Sequence, residues 1–201
     1  MGSFWDQRYA EPGYKYGTEP NAFVVEQATR LEPGSCVLLP GDGEGRNSVW
    51  LAGQGHNVLA IDASGVGLDK ARALAVERGV QIATMQADLD DWQPGPASAD
   101  AVVLVYLHLP SALRPTVHRQ LARALVPGGW LILEAFEPAQ LGCSSGGPGD
   151  PDLLYPLDEL EADFRNRLET VMAWSGEVTL DEGAGHRGPA RVVRYVGRRA
   201  A

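Results

Sequence analysis

Cys36-Val37-Leu38-Leu39-Pro40-Gly41-Asp42-Gly43-Glu44-Gly45-Arg46-Asn47 is an apolar run that breaks into alternating glycines, and Val58-Leu59-Ala60-Ile61-Asp62 is a second apolar run with a carboxylate at its tip. A helix-length segment separates them. Two strand-like segments joined in this way, with glycines after the first and an acid after the second, describe a nucleotide-binding βαβ unit. The glycines let backbone approach a ligand closely, and the acid can accept both hydroxyls of a ribose. A plain strand-to-helix turn also uses glycine, and Asp62 also suits a helix cap, so the rest of the chain has to decide.

Spacing separates two kinds of nucleotide. A dinucleotide fingerprint sets its third glycine three residues after the second, so that a pyrophosphate sits on the helix N-terminus. Here Gly43 is followed by Glu44, Gly45 and Arg46, one residue out of step. Nicotinamide-dependent oxidoreduction is disfavoured on that ground. With Glu44 where phosphates would lie, the loop better suits a cofactor with a ribose and an amino-acid end but no phosphate, which is S-adenosylmethionine.

Composition narrows the partners. At 201 residues and 44% apolar content the chain buries a real core and is expected to form one domain. Its net charge of −9, from 17 basic and 26 acidic residues, argues against nucleic acid or an anionic membrane and leaves a small-molecule substrate. Cys36 lies in an expected buried strand and Cys143 in a glycine-rich loop, a pattern of neither disulfide framework nor metal cluster. No apolar run reaches transmembrane length and no basic-then-apolar leader is present, so the expected location is cytoplasmic. Oligomeric state has no signature.

Helix and strand periods then alternate. Ala22 to Leu31 reads as a helix, Cys36 to Leu39 as strand one, Gly45 to Gly53 as a helix and Val58 to Ile61 as strand two. A helix begins near Ser64 and stops at Gly79, followed by strand three, Gln81 to Met85. Ala101 to Val105 is continuously apolar, the pattern of a central parallel strand covered on both faces. Another helix ends at Pro127-Gly128-Gly129 and feeds strand five, Trp130 to Ala135. Residues 137–152 are too rich in glycine and proline for regular structure, and read equally as connector or lid. A short helix, Leu157 to Phe164, precedes Glu169 to Leu180 and Arg191 to Val196, an antiparallel pair joined by the turn-forming stretch 181–189. The expected fold is α/β: a Rossmann-like, seven-stranded, mostly parallel sheet with helices on both faces and a C-terminal antiparallel hairpin. Residues 1–34 form an N-terminal lid and helix, 35–136 the cofactor-binding repeats, and 137–201 a loop, helix and hairpin for substrate.

The chain resembles class I S-adenosylmethionine-dependent methyltransferases, most closely the tellurite-resistance and thiopurine methyltransferase-like group. The resemblance spans nearly its whole length. It is carried by Phe4-Trp5-Asp6-Gln7-Arg8-Tyr9, Tyr16-Gly17-Thr18-Glu19-Pro20-Asn21, the glycine loop through Arg46-Asn47, Asp62-Ala63-Ser64, Gln86-Ala87-Asp88-Leu89, Pro127-Gly128-Gly129 and His186-Arg187. The chain departs from the group at Leu39, where many members carry an acid, and at Pro40.

In an open parallel sheet a ligand sits beyond the carboxyl ends of the strands, where their order reverses, so strand-end residues converge on one crevice. Gly41, Asp42 and Gly43 are expected at the cofactor's methionine end, Asp62 on its ribose and Ala63 on its adenine. Asp88 is expected to accept from the exocyclic amine, the Leu89 N–H to meet a ring nitrogen, and Tyr106 to lie near the sulfonium. Helix cap and turn acid are the plainer roles for Asp62 and Asp88. The N-terminal aromatics lack a strong helical period and either pack on the core or, as the resemblance implies, fold over the cofactor with Trp5 and Arg8 near its methionine portion.

Topology carries the final turn back to the cofactor edge, bringing His186, Arg187 and Arg191 toward the acceptor and leaving Arg194 and Arg198 farther away; a solvated turn is the plainer alternative. Two guanidinium groups and an imidazole would bind an oxyanion or lower the pKa of a thiol. His108 is a further positioning candidate or a helix cap, while His56 and His118 read as surface residues. The expected activity is methyl transfer to a small soft nucleophile, a thiol or a chalcogen oxyanion such as tellurite, yielding S-adenosylhomocysteine. The alternatives are O- or N-methyl transfer to a small metabolite, which needs a general base, and a non-catalytic adenosine-ligand binder.

Overall fold

The computed structural model describes residues 2–201, apart from the Ser3 side chain. Seven strands, β1 (Cys36–Pro40), β2 (Asn57–Asp62), β3 (Ala83–Gln86), β4 (Ala99–Val105), β5 (Leu125–Phe136), β6 (Leu168–Glu182) and β7 (His186–Arg199), form one sheet in the order β3-β2-β1-β4-β5-β7-β6. Strands β1 to β5 run parallel, and β7 lies antiparallel between β5 and β6. Six α-helices among the described residues accompany them: α1 (Gly2–Tyr9), α2 (Ala22–Gln27), α3 (Arg46–Gly53), α4 (Gly65–Glu77), α5 (Arg114–Ala124) and α6 (Leu157–Phe164). The fold is the Rossmann-like methyltransferase sheet that the alternating periods describe.

Two-residue alternation sorts β4 between two cores. Ala101 and Val103 pack with Phe23 and Val24 of α2 and Leu51 of α3, whereas Val102 and Leu104 pack with Val117 and Leu121 of α5 and Leu160 and Phe164 of α6. A strand buried on both sides has no polar face to offer, which is why its sequence is apolar throughout. Strand β1 pairs with β2 on one side and β4 on the other. The connection therefore reverses direction there, and a crevice opens beyond the strand ends.

Several boundaries differ from the sequence expectation for physical reasons. The first part of the N-terminal aromatic segment, Gly2–Tyr9, is helical in spite of its weak period, because tertiary contacts hold it: Asp6 Oδ1 accepts from Ser64 Oγ at 2.5 Å and from the Val66 N–H at 3.3 Å. Helix α5 stops at Ala124, ahead of Pro127, and the chain passes straight into β5. The turn expected over 181–189 contracts to residues 183–185, so β6 and β7 form a much longer hairpin. Cys36, as the first residue of β1, is exposed rather than buried. His118 is 1% exposed, and its Nδ1 lies 2.8 Å from Asp163, which also accepts from Arg114 at 2.8 Å. Burial lowers the His118 pKa, so the neutral ring donates to Asp163 and pins α5 to α6. His56 is half-buried. No helix among the described residues is long and apolar enough to cross a membrane.

Candidate active site

A cavity of about 720 Å³ occupies the crevice. Its wall takes Gly41 and Asp42 from the end of β1, Asp62 and Ala63 after β2, Ala87 to Leu89 after β3, Tyr106 to Pro110 after β4, and Phe136 from β5. Glycine-rich residues 146–149, His186, parts of α1 and residues 15–17 complete the lining.

The glycine-loop side is built on Asp62, which is 8% exposed. Its Oδ2 accepts from the Gly43 N–H and its Oδ1 from the Ser64 N–H, both at 2.8 Å. A carboxylate oxygen has two lone pairs, so each keeps an accepting site. Burial raises the Asp62 pKa against these two bonds. Gly43, at φ 63°, lies beside Tyr9 rather than in the cavity wall; a Cβ there would meet the Tyr9 hydroxyl at 2.6 Å. Asp42 does face the cavity, its Oδ2 accepting from Ser48 Oγ at 2.5 Å and its Oδ1 from the Ser48 N–H at 3.3 Å. Burial first, and then the nearby Asp62 charge, pushes its pKa up to about 7 in spite of those bonds.

Glu44 ties down residues 11–15. One oxygen accepts from the Lys15 N–H and the other from Lys70 Nζ, each at 2.8 Å, while Lys70 also donates to the carbonyls of Glu11 and Gly13. This strap continues to the hairpin tip, where the Gly185 N–H donates to the Lys15 carbonyl at 3.0 Å. Only a residue without a side chain fits there, since a Cβ on Gly185 would lie 2.5 Å from the Tyr16 ring. Trp5 stacks on Tyr9 at 5.4 Å, and the exposed Arg8 guanidinium sits 5.0 Å above Phe4. Beyond the ends of β2 and β3, Ala63, Ala87 and Leu89 line the cavity with Asp88, whose Oδ1 accepts from the Asp90 N–H at 3.3 Å.

The hairpin side is aromatic and backed by buried charge. Tyr106 takes a left-handed φ of 52°, sparsely populated for a bulky side chain, and stacks on Phe136 at 4.6 Å. Its hydroxyl donates to Glu134 Oε1 at 2.8 Å, and Glu134 also accepts from Asn21 and Arg194. Burial and Glu134 hold Tyr106 far above the usual phenol range, so it stays protonated. His186 is 5% exposed and packs 4.4 Å from both Tyr16 and Tyr106. Its Nδ1 lies 3.6 Å from Glu182 Oε2, just beyond hydrogen-bond distance, and burial lowers its pKa, leaving a neutral imidazole. Glu182 is held by Arg46 at 2.9 Å. Arg46 Nη1 is buried with no hydrogen-bond partner. His108 caps no helix; its Nδ1 lies 2.6 Å from the Leu153 carbonyl, and burial depresses its pKa to about 4.

The structure thus gathers Trp5, Arg8, Gly41, Asp42, Asp62, Ala63, Asp88, Leu89, Tyr106 and His186 around one cavity, with Gly43 just behind it. Arg187 and Arg191 are not in its wall. The Arg187 side chain is 80% exposed on the hairpin, 3.9 Å from Asp181, and Arg191 pairs with Glu137 at 2.8 Å. Arg194, expected to lie farther off, reaches the Glu134 network behind Tyr106. The buried cation of the cavity wall is Arg46, which sequence reasoning passed over. A signal existed: an arginine in the first turn of α3 opposes the helix dipole and calls for a carboxylate nearby.

A family model described as a methyltransferase domain matches residues 37–129. A 2-heptyl-1-hydroxyquinolin-4(1H)-one methyltransferase of Mycobacteroides abscessus is 25% identical over 159 residues, 78% of this chain and 67% of the relative. A thiopurine S-methyltransferase of Pseudomonas putida is 26% identical over 188 residues, 79% of this chain and 86% of the relative. Among solved structures, one concerned with conversion of a disulfide bond into a thioacetal group during echinomycin biosynthesis superposes with a TM-score of 0.79 at 19% identity, covering 100% of this chain and 92% of its own. TehB from Haemophilus influenzae gives 0.72 at 18% identity over 98% of this chain and 66% of its own. The matching methyltransferase-domain model, the strand order and the related sequences together make this chain similar to class I S-adenosylmethionine-dependent methyltransferases, resembling TehB and the thiopurine methyltransferases.

Proposed function

We propose that S-adenosylmethionine lies along the ends of β1 to β4, that a small flat acceptor lies beside Tyr16, Tyr106, Phe136 and His186, and that the methyl group passes to a thiol on that acceptor. The observation that carries this reading is a ligand-sized cavity with a carboxylate-bearing glycine loop on one side and an aromatic wall holding a neutral histidine on the other. The chain's residues fit the cofactor. Asp62 retains an accepting site on each oxygen for two ribose hydroxyls, Ala63 and Leu89 flank a flat apolar ring, and Asp88 lies beside them to accept from an exocyclic amine. Gly41 and Asp42 meet the amino-acid end, and Trp5 and Arg8 cover it. S-adenosylmethionine supplies a methyl group already activated by its sulfonium and leaves as S-adenosylhomocysteine.

The protein's task is then placement in a water-poor pocket. Tyr106, held by Glu134 and Phe136, fixes the wall where the two ligands meet, and the lid residues exclude water. His186, neutral and with Glu182 beside its Nδ1, accepts the acceptor's proton through Nε2. Arg46 Nη1 is the donor left for an anionic ligand atom. A chalcogen oxyanion such as tellurite has less to hold it, because Arg187 and Arg191 lie outside the wall. O-methyl transfer to an acidic hydroxyl is a second reading, favoured by the His186 and Glu182 pair as the base such chemistry needs. The two relatives' names, a thiopurine and a hydroxyquinolinone methyltransferase, both describe flat heteroaromatic acceptors. Methyl-transfer assays across aromatic thiols, hydroxyquinolinones, aliphatic thiols and tellurite test this reading, and it expects aromatic thiols to turn over fastest. Turnover of tellurite alone would overturn it.

A further inference from the structure

Asn21 is 1% exposed and fully hydrogen-bonded. Its backbone N–H donates to Asn47 Oδ1 at 2.9 Å, and its carbonyl accepts from the Val25 N–H at 3.1 Å. The side-chain oxygen caps α2 by accepting from the Val24 N–H at 3.1 Å, while Nδ2 donates to two carboxylates, Glu134 Oε1 at 2.6 Å and Glu182 Oε1 at 2.8 Å. The cap fixes which end of the amide is which, because only the oxygen can accept and only the nitrogen can donate twice. Asn21, Glu134 and Glu182 all lie behind the cavity wall and outside its lining.

The two carboxylates depend on this amide unequally. Without it Glu134 is still held at both oxygens, by the Tyr106 hydroxyl at Oε1 and by Arg194 at Oε2. Glu182 has Arg46 at Oε2, 2.9 Å away, and Asn21 alone at Oε1. A carboxylate gripped at one oxygen pivots about that contact, whereas one gripped at both has its plane fixed. The plane matters here, because Oε2 is also the atom 3.6 Å from His186 Nδ1, which is buried without a hydrogen-bond partner.

Resting on the reading of His186 as proton acceptor, we propose that Asn21 is a positioning residue: by holding Glu182 Oε1 it keeps Oε2 turned to His186 Nδ1. The neutral ring then carries its hydrogen on Nδ1 and its lone pair on Nε2, and a proton taken up at Nε2 makes a cation whose Nδ1–H already faces an anion. The groups around His186 are Glu182 from β6, Glu134 from β5, Arg46 from α3, Tyr16 from the strap, and Tyr106 and His108 after β4. Glu182 favours the protonated ring and Arg46 opposes it, so a Glu182 free to pivot makes His186 a weaker base.

Two measurements on the unaltered protein, Asn21→Ser, His186→Gln and the double variant test the assignment. Serine still caps α2 but is too short to bridge two carboxylates, and S-adenosylhomocysteine affinity within about twofold of the parent reports a folded variant. With the acceptor that turns over fastest, Asn21→Ser is expected to lower kcat about tenfold or more while leaving the acceptor KM within about threefold. In the His186→Gln background the same change is expected to cost about twofold or less, since the base it serves is gone. The His186 ring titration, followed by NMR, is expected to move to lower pH in Asn21→Ser. Equal losses of kcat in the two backgrounds, or a ring titration that stays in place, would overturn the assignment and leave Asn21 as a helix cap. Full turnover in His186→Gln would instead remove the proton-acceptor reading, and this assignment with it. If Asn21→Ser fails to fold, Asn21→Asp keeps the shape and the cap while donating at most once, and the same comparison decides.

Discussion

The two halves of the cavity are made differently. The half proposed for adenosine is assembled from the ends of β1, β2 and β3, where short connections and backbone N–H groups fix Asp62 within the βαβ unit itself. The half proposed for the acceptor draws Tyr16 from the strap, Tyr106 from the end of β4, Phe136 from β5, residues 146–149 from a loop and His186 from the hairpin. Positions set by neighbours in sequence survive changes elsewhere, whereas positions set by five separate segments depend on each arriving in register. On the proposed assignment, a cofactor half of the first kind and a specificity half of the second would let one fold keep its cofactor while its acceptor changes.

That contrast predicts separable losses. The largest belongs to His186→Gln, expected to lower turnover of a proton-bearing acceptor by about 10²- to 10⁴-fold. S-adenosylhomocysteine affinity should stay within about twofold, and an equal loss of both would merge the two halves. In the unaltered enzyme, turnover should fall as pH drops through the depressed His186 pKa, since the protonated ring cannot accept, and this acid limb should vanish in the variant. A smaller effect is expected for Glu44→Gln, which removes the charge holding Lys70 and the strap; with Lys70 22% exposed, the discounted effect is about tenfold or less. Faster proteolysis near Tyr14 and Lys15 would report it, and unchanged cleavage would show that the strap is held by other contacts. The smallest belongs to Arg187→Ala, whose exposed side chain predicts turnover within about twofold of the parent. A loss of turnover tenfold or greater there would bring the hairpin arginine back into the acceptor half.

The same division governed what the sequence could reveal. The strand ends proposed to hold adenosine were legible because glycines after one strand and an acid at the tip of the next mark a βαβ unit, and β1, β2, β4 and α4 run close to their expected bounds. The acceptor half was legible only in composition. His186 and Arg187 are adjacent, yet β7 begins at His186 and strand alternation sends the two side chains to opposite faces, burying one and exposing the other. A turn several residues longer would have let both approach the cavity, and turn length is not written in the pair itself. Arg46 was overlooked for the converse reason: its partner Glu182 is 136 positions away, and only the closed hairpin brings them together.

Direct binding of S-adenosylhomocysteine, with Asp62→Ala as comparison, tests the central claim that an adenosyl ligand rests on the glycine loop and Asp62. Loss of two charge-assisted hydrogen bonds, each worth about 1.5–3 kcal/mol, predicts one site in the unaltered protein and affinity at least about 100-fold weaker in the variant. No binding heat in the unaltered protein, or equal affinity in a folded variant, would contradict it.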